Sequence, residues 1–258
     1  RKNFWQSSKP TISTRFSLIT AENESNFAIE NIALDGKRSN NTNINGNYAG
    51  GLWFQDCNNI SMSKLDVSEF NGDAISFQIC HDVSVVNCEV HNNTDLGIHP
   101  GSGSQRPRMT NNHVSGCSMG IFFCWGVKYG LAHKNLLSAN TYGFSIGHHD
   151  DENIISNNHI IDSKTNGVVF RPERGEGFTA KGNRVVDNVI LNSGGDSGIA
   201  VDIQGVTSNN SLIRNLITEK RRPSKRIGIR MGAEVGEMEL VDNVIDGFAK
   251  ALQDLRKA

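Results

Sequence analysis

The sequence lacks several features that would assign it to a functional class at once. Its 26 basic and 27 acidic residues nearly cancel, so no basic stripe indicates a nucleic-acid partner. Its five cysteines form no C-x-x-C pair and have no zinc-type spacing, which argues against a disulfide framework or a structural metal. No apolar run approaches about 18 residues, so we expect no membrane-spanning helix.

Asparagine and glycine are spread evenly along the chain, without the composition break that marks a boundary between domains. We therefore expect a single domain over residues 1–258. The sequence starts with Arg1 and shows no signal peptide, so we expect a mature or trimmed chain.

A small residue followed by an alternating apolar run recurs along the chain, and repeats of this kind predict a solenoid or a related array. The first four steps are 23 residues each, and steps of 24, 31, 30 and 23 follow. The small residues are Gly51, Ala74, Gly97, Gly120, Gly143, Gly167, Gly198, Gly228 and Ala251. Cys57 and Cys80 also lie one step apart, and we expect packed thiols there rather than a disulfide.

The first and third residues after each small residue are apolar almost throughout, as in Leu52 and Phe54. This period of two is typical of a half-buried strand, with the apolar residues on its inner face. A second apolar strand follows in each repeat and ends near an asparagine. Asparagine suits such a corner because its amide bonds to neighbouring groups. We therefore expect a stacked ladder of Asn112, Asn135, Asn158, Asn183, Asn215 and Asn243.

Strands this short bury a core only if the chain coils and each repeat pairs in parallel with the next. In this pattern the sequence resembles the right-handed parallel β-helix, the pectate-lyase-like fold of pectate lyases, rhamnogalacturonases and alginate epimerases. The resemblance implies an all-β, single-stranded coil of about nine rungs, regular from about residue 27. It also implies a carbohydrate-active protein that is secreted or periplasmic. Open ends need caps, and "DGFAKALQDLRKA" within residues 243–258 predicts a short amphipathic helix as the C-terminal cap.

If the first and third strand residues face the core, the second and fourth form an outer wall with rungs about 4.8 Å apart. An ordinary exposed sheet carries Lys, Glu and Thr, whereas this wall carries aromatic residues, histidine, arginine and glutamine. Sugar rings stack on aromatic residues, and their polar groups need Gln, His and Arg. We therefore expect a polysaccharide or oligosaccharide to bind Trp53, Gln55, Gln78, Phe122 and Trp125, with Arg106 and Arg108 from the loop that follows His99.

The segment "YGFSIGHHDD", which starts at Tyr142, resembles the Tyr-Gly-Phe-Asp-Pro-His-Glu run of alginate epimerases and related lyases. Ser145 stands where that family has its aspartate. The segment "LGIHPGSGSQ" around His99 resembles the same frame on an earlier rung. The resemblance implies proton removal from a uronate residue, although the serine departs from the family pattern.

β-Elimination or C5 epimerisation needs a group that neutralises the substrate carboxylate, a base for the C5 proton and a donor near the leaving oxygen. We expect Arg171 to neutralise the substrate carboxylate, either His99 or His148 to abstract the C5 proton, and Tyr142 to donate a proton to the leaving oxygen. Asp202, near Arg171, completes the candidate catalytic set. The set spans about four rungs, roughly 15 Å, and His148 with Arg171 is its tighter pair.

Two other functions remain open at this stage. Glycoside hydrolysis needs two carboxylates about 5 to 10 Å apart, which Asp202, Glu173 and Asp150 supply only if their loops fold inward. The Gly-His-Gly and Arg-Ile-Lys motifs of polygalacturonase-like enzymes are absent. A non-catalytic glycan-binding β-helix is the other alternative. Asp150 and Asp151 together suggest a Ca²⁺ site, so we expect either no cofactor or Ca²⁺.

Overall fold

The computed structural model describes residues 17–41, 50–175, 177–196, 198–222 and 225–256. Within these ranges the chain forms 28 β-strands, a short 3-10 turn at Arg38–Asn40 and no α-helix. The all-β prediction is confirmed. No described helix has the length and apolar character needed to cross a membrane.

The strands form three parallel sheets that run along the whole coil. The first sheet contains β1 (Ile19–Glu22), β4 (Leu52–Gln55), β7 (Ile75–Gln78), β10 (Leu96–Gly101), β13 (Met119–Phe122), β16 (Tyr142–Ile146), β19 (Asn166–Phe170), β22 (Ile199–Ile203), β25 (Ile227–Met231) and β28 (Lys250–Asp254). The second contains β2 (Ser25–Glu30), β5 (Asn58–Ser63), β8 (His81–Val86), β11 (Arg108–Thr110), β14 (Leu131–His133), β17 (Ile154–Ser156), β20 (Arg184–Val186), β23 (Asn210–Ile213) and β26 (Met238–Val241). The third contains β3 (Ala33–Asp35), β6 (Asp66–Ser68), β9 (Glu89–His91), β12 (His113–Ser115), β15 (Leu136–Ser138), β18 (His159–Ile161), β21 (Val189–Leu191), β24 (Leu216–Thr218) and β27 (Val244–Asp246).

Each strand pairs in parallel with the strand three places later in the chain, as β4 does with β7 and β7 with β10. The described residues therefore build nine rungs of three strands each, and β28 adds a tenth strand to the first sheet. This arrangement confirms the predicted parallel β-helix. The first described strand begins at Ile19, somewhat before the residue at which the repeat became recognisable in the sequence.

The small residue at the start of the first-sheet strands is required by the close approach of successive rungs. A Cβ atom on Gly97 would lie 2.6 Å from the carbonyl oxygen of Gly120. A Cβ atom on Gly120 would lie equally close, at 2.6 Å, to the carbonyl oxygen of Gly143. These three glycines therefore stack in successive rungs, as their 23-residue step predicts.

The apolar residues of the alternating pattern fill the interior of the coil. Leu52 and Phe54 are fully buried, as are the equivalent residues on the next rungs. Their removal from water is the main favourable contribution to the stability of the fold. Cys57 and Cys80 are buried with free thiols, so the expectation of packed cysteines is confirmed.

Stacked asparagine side chains form two ladders beside the core, buried except at Asn243. The first consists of Asn112, Asn135, Asn158, Asn188, Asn215 and Asn243, each donating its Nδ2 to the Oδ1 of the next. The second consists of Asn153, Asn183 and Asn210. The ladder prediction is confirmed, but the assignment of Asn183 to the first ladder was wrong. Asn188 takes that place because the preceding loop is longer than in other repeats.

The register prediction was wrong by two residues at β22. Val169 pairs with Asp202, so Ala200, and not Gly198, occupies the small-residue position of this rung. Asp202 is therefore the second residue after the small residue of this rung, not the fourth. Gln204 takes the fourth position, where its backbone N–H bonds to the preceding rung.

The predicted C-terminal capping helix was also wrong, because β28 continues the first sheet over Lys250–Asp254 and pairs with Ile227–Met231. Leu252 lies opposite Ile229 and extends the inward apolar column. A strand at this position satisfies the backbone N–H and C=O groups along the edge of β25, which a helix would leave unpaired.

Candidate active site

The second residue after the small residue of each repeat lies in a continuous outward column on the first sheet, which we call the wall column. It consists of Trp53, Ser76, His99, Phe122, Ser145, Val169, Asp202 and Arg230. Its N-terminal part is buried, since Trp53 and Ser76 are fully buried, and Gln55 and Gln78 on the same strands are buried as well. The sugar stacking expected on Trp53 therefore finds no exposed ring face, and the remaining candidates lie from His99 onward.

His99 on β10 is held by two buried polar side chains. Its Nδ1 lies 2.7 Å from Oδ2 of Asp73 and 3.2 Å from Oγ of Ser76. The short contact with a carboxylate favours the tautomer in which Nδ1–H donates to Asp73, and the lone pair of the neutral ring is then on Nε2. The ring also packs against Phe122, with 5.1 Å between the ring centroids. His99 thus has the fixed orientation that a general base requires.

Asp95 adds a third titratable group beside this pair. Burial raises the pKa of Asp95 to about 6, repulsion from Asp73 adds to the rise, and the positive charge of His99 opposes it. Near neutral pH a fraction of the Asp95 carboxyl groups therefore keeps its proton. Asp73, Asp95 and His99 form one cluster at the start of β10.

Arg171 follows β19, and its side chain reaches back across two rungs. Its Nη1 donates to Oγ of Ser145 at 2.6 Å, and its Nη2 donates to the carbonyl oxygen of Phe123 at 2.7 Å. Its Cζ lies 4.3 Å from the centroid of the Phe122 ring. His99 and Arg171 therefore contact the same ring, although they come from the fourth and seventh strands of the first sheet.

Asp150 anchors the turn behind Arg171. Its carboxylate accepts the backbone N–H groups of Gly126, Val127 and Gly147 at distances of 2.8 to 3.1 Å. Its Oδ2 also lies 3.3 Å from Nη2 of Arg171. Burial raises the pKa of Asp150 to about 7, whereas Arg171 and the three N–H groups act to lower it. The carboxylate oxygens thus already accept bonds from within the protein.

The two aspartates suggested as calcium ligands have different partners. Asp151 forms an ion pair with Lys128 at 2.9 Å and accepts the backbone N–H of Lys181 at 3.0 Å, whereas Asp150 is bound to backbone N–H groups. Across the described ranges no group of three or more His, Cys, Asp or Glu side chains is arranged to hold a metal ion. The calcium site remains a prediction that the partners of these two side chains do not support.

His148 lies in the same turn, and its Nε2 donates to the carbonyl oxygen of Pro172 at 3.1 Å. Burial, reinforced by the charges of Arg171 and Arg174, lowers the pKa of His148 to about 4. The ring is therefore neutral at neutral pH, and the residue is 3% exposed. The expected pairing of His148 with Arg171 is not formed as a direct hydrogen bond, since Arg171 bonds to other groups.

A cleft of about 360 Å³ opens on the outer face of the first sheet. Its lining includes Met119, Tyr142, Ser145, Arg171, Asp202, Gln204 and Arg230. Arg230 holds Asp202 in a two-point ion pair at 2.8 and 2.7 Å, and Gln204 donates to the same carboxylate at 2.6 Å. Tyr142, Arg171 and Asp202, three of the residues predicted to be catalytic, are thus brought together at one cleft.

The remaining predicted residues, His99, Phe122 and His148 among them, do not line this cleft. Trp125 lies on the turn after β13, where the chain leaves the first sheet, and is 45% exposed. Arg106 forms a two-point ion pair with Asp82, and Arg108 begins β11 in the second sheet. The two arginines are therefore not on the wall beside His99, because the chain has already turned the corner into the second sheet.

Sequence reasoning missed Asp73, Gln204 and Arg230 as members of the site. Asp73 had a detectable signal, since an aspartate stands directly before the strand in "GDAISF" one rung before His99. Arg230 is the second residue after Gly228 and therefore lies at an outward position of the predicted wall, but we gave it no role. The two-residue register shift hid both its pairing with Asp202 and the place of Gln204.

Comparisons with known proteins support the architecture. The A-module of the mannuronan C-5 epimerase AlgE4 from Azotobacter vinelandii superposes with a TM-score of 0.74 at 17% identity, covering 93% of this chain and 76% of that one. The alginate lyase from Paenibacillus sp. str. FPU-7 gives a TM-score of 0.62 at 12% identity, with coverages of 83% and 81%. PfbA, a surface adhesin of Streptococcus pneumoniae, gives 0.65 at 10% identity, with coverages of 88% and 71%.

These identities are low, so the structural likenesses show the fold alone. No curated protein matches the chain in sequence. The family model described as "Right handed beta helix region" matches residues 11–124 and 50–217, which together exceed half of the chain. The chain therefore belongs to the right-handed β-helix family.

Proposed function

We propose that the protein acts on a uronate-containing polysaccharide by removing the C5 proton of a uronate residue, which leads to β-elimination or C5 epimerisation. The observation that carries the proposal is the contact of His99 and Arg171 with one ring, Phe122, at 5.1 Å between ring centroids and 4.3 Å from Cζ to the centroid. Phe122 thus brings a base and a cation to one ring, and we assign both to one uronate residue, in which the carboxylate is bonded to the carbon that loses the proton.

In the proposed reaction Nε2 of His99 takes the C5 proton, and the electron pair of the C5–H bond is delocalised into the carboxylate. Asp73 stabilises the imidazolium that forms and keeps the ring oriented, as a buried carboxylate does for a histidine base. In elimination the electron pair forms the C4=C5 bond, the bond from C4 to the bridging oxygen breaks, and Tyr142 gives that oxygen a proton. In epimerisation Tyr142 instead gives its proton to C5 on the opposite face, and the electron pair returns from the carboxylate to form the new C5–H bond.

The negative charge that develops on the substrate requires a fixed positive charge nearby. We assign this charge to Arg171, whose guanidinium lies 4.3 Å from the centroid of the ring that His99 also contacts. Arg230 shares its charge with Asp202, so we assign it to binding a neighbouring sugar in the cleft. We propose His99 rather than His148 as the base because His148 donates its Nε2 proton to the backbone.

Glycoside hydrolysis is a second candidate that one observation favours. Asp95 has its pKa raised to about 6 beside Asp73, and hydrolases use one protonated and one ionised carboxyl group. Against this candidate, Asp73 is fully buried and bonded to His99. A non-catalytic glycan-binding role is a third candidate, since the β-helix also occurs in the adhesin described above.

A panel of uronate polymers tests the proposal against both alternatives. Ultraviolet absorbance detects the C4=C5 bond of elimination, NMR of the polymer detects epimerised residues, and a reducing-end assay detects chain cleavage. We expect either unsaturated or epimerised product, and its loss in His99→Gln but not in His159→Gln, which alters an exposed histidine on the third sheet. New reducing ends without unsaturation would establish a hydrolase instead, and binding without any product would establish a binding module.

A further inference from the structure

An aromatic cluster lies on the turn and loop that flank the first-sheet cleft. The ring of Trp125 contacts that of Phe178 at 5.8 Å between centroids, and Phe178 contacts the ring of His149 at 4.5 Å. The Trp125 ring also contacts His148 at 6.0 Å. The cluster thus joins the turn after β13, the turn after β16 and the loop after β19.

Trp125 is displayed rather than buried, even though it has these neighbours. It is 45% exposed, whereas Trp53 on the wall column is fully buried. Its backbone is left-handed, with φ of 70°, a conformation that is uncommon for a bulky residue. The indole therefore keeps a surface that is open to a ligand, although two rings pack against it.

A positive charge lies beside the exposed indole, and the neighbouring carboxylates have partners of their own. The guanidinium of Arg174 lies 5.9 Å from the centroid of the Trp125 ring. The adjacent carboxylate of Glu173 accepts the backbone N–H of Val206 at 2.9 Å, and Asp151 is paired with Lys128. An exposed indole beside an arginine suits a ligand with both an apolar face and a negative group.

We propose that Trp125, Phe178, His149 and Arg174 form a separate sugar subsite, which stacks one uronate residue of the polysaccharide beside the cleft. Its uronate preference rests on the proposed function, whereas its stacking role does not. Trp125 provides the apolar surface, Arg174 faces the carboxylate, and Phe178 with His149 holds the loop against the indole. A polymer that lies in the cleft would extend over this subsite at the edge of the first sheet.

Calorimetric titration tests the subsite in the His99→Gln variant. The proposed function predicts that this variant binds the polymer without turning it over. The ligands are an acidic oligouronate and a neutral oligosaccharide of equal length. We expect Trp125→Ala to raise the Kd for the oligouronate about tenfold and Trp125→Phe to raise it much less. Arg174→Gln is expected to weaken binding of the oligouronate but not of the neutral sugar. The matched control is Tyr129→Ala, an exposed aromatic residue outside the cluster.

An unchanged Kd in Trp125→Ala, or equal losses in Trp125→Ala and Tyr129→Ala, would overturn the subsite. If Trp125→Ala does not fold, indole fluorescence of the protein with Trp125 intact tests the subsite instead. The oligouronate should change the emission, and Trp125→Phe should abolish that change; an unchanged emission would overturn the subsite. The proposed reaction fails separately, if His99→Gln keeps full turnover while the tryptophan variants still lose affinity.

Discussion

At the scale of single residues, the proposed chemistry depends on the environment of His99 and not on the histidine alone. His148, in the turn after β16, is neutral and bonds to a backbone carbonyl, and both histidines are buried. His99 instead faces a buried carboxylate at 2.7 Å. Two histidines that look alike in the sequence therefore differ in what they can do with a proton.

Replacing Asp73 by asparagine should lower kcat, because an uncharged partner stabilises the imidazolium less. We expect a loss on the order of a hundredfold, typical of a disabled general base, with little change in KM. The control is Asp187→Asn, which removes a carboxylate from an exposed ion pair with Arg214. A loss confined to KM, or a comparable loss in the control, would contradict the assignment of Asp73 as a positioning residue.

His148 should make the folded protein less stable in acid. The pKa of His148 is about 4 in the folded chain and about 6.5 in an unfolded one. Between these values the unfolded state binds the proton and the folded state does not, so the free energy of unfolding falls as the pH drops through this window. Urea unfolding at pH 7 and pH 5 should show a smaller change in the free energy of unfolding in His148→Asn than in the unchanged protein. Asparagine is chosen because it tolerates the left-handed backbone at this position. Equal pH effects in both proteins would rule out this role.

At the scale of structural elements, the ladders fix the corners on which the wall depends. Asn135 donates to the carbonyl oxygen of Met109 and to Oδ1 of Asn158, and it accepts from the backbone and side chain of Asn112. All of these groups are buried, so the ladder satisfies polar atoms that water does not reach.

Asn135→Ala should therefore destabilise the coil by about 2 to 4 kcal/mol, since it leaves several buried groups without partners. Denaturant unfolding measures the change. Asn58→Ala, at an exposed position of β5, is the matched control and should change the free energy of unfolding only slightly. Similar effects of both substitutions would show that the ladder adds no particular stability.

The sequence was informative where the repeat was regular and ambiguous where loops interrupted it. The 23-residue step located Gly97, Gly120 and Gly143 correctly, because inter-rung contact tolerates only small residues there. After the loop that follows Arg171, two small residues fitted the start of the strand, and two asparagines fitted the ladder position. Only strand pairing distinguishes Ala200 from Gly198, and Asn188 from Asn183.

The site was predictable to a similar degree. His99, Arg171 and Asp202 were identifiable as outward-facing polar residues of the wall. The reach of Arg171 across two rungs was not predictable, because rung position does not determine the rotamer of a long side chain. Asp73 precedes its strand, outside the alternating pattern that the prediction followed.

At the scale of the whole molecule, the coil aligns residues from many repeats along one wall. His99 and Arg230 belong to the fourth and ninth strands of the first sheet, which places them about 24 Å apart by the rung spacing. The net charge is only −1, so the proposed acidic polymer would be attracted by local arginines rather than by the field of the whole protein.

Turnover should accordingly depend on substrate length. We expect kcat/KM to increase with oligomer length until the oligomer spans about 24 Å of the wall and then to level off. Kinetics on a series of purified oligouronates measure this dependence. Arg230→Gln should reduce the benefit of the longer oligomers and leave the shortest ones nearly unaffected. A kcat/KM that is independent of length would indicate that the wall does not bind the polymer.

The most direct measurement is exchange of the C5 proton in heavy water. Elimination and epimerisation both break the C5–H bond, so NMR of the recovered polymer should show deuterium at C5 of epimerised residues, or unsaturated ends if elimination dominates. We predict one of these signals with the protein and its loss in His99→Gln, while His159→Gln retains it. A uronate polymer that binds to the wall but keeps its C5 protons would contradict the account.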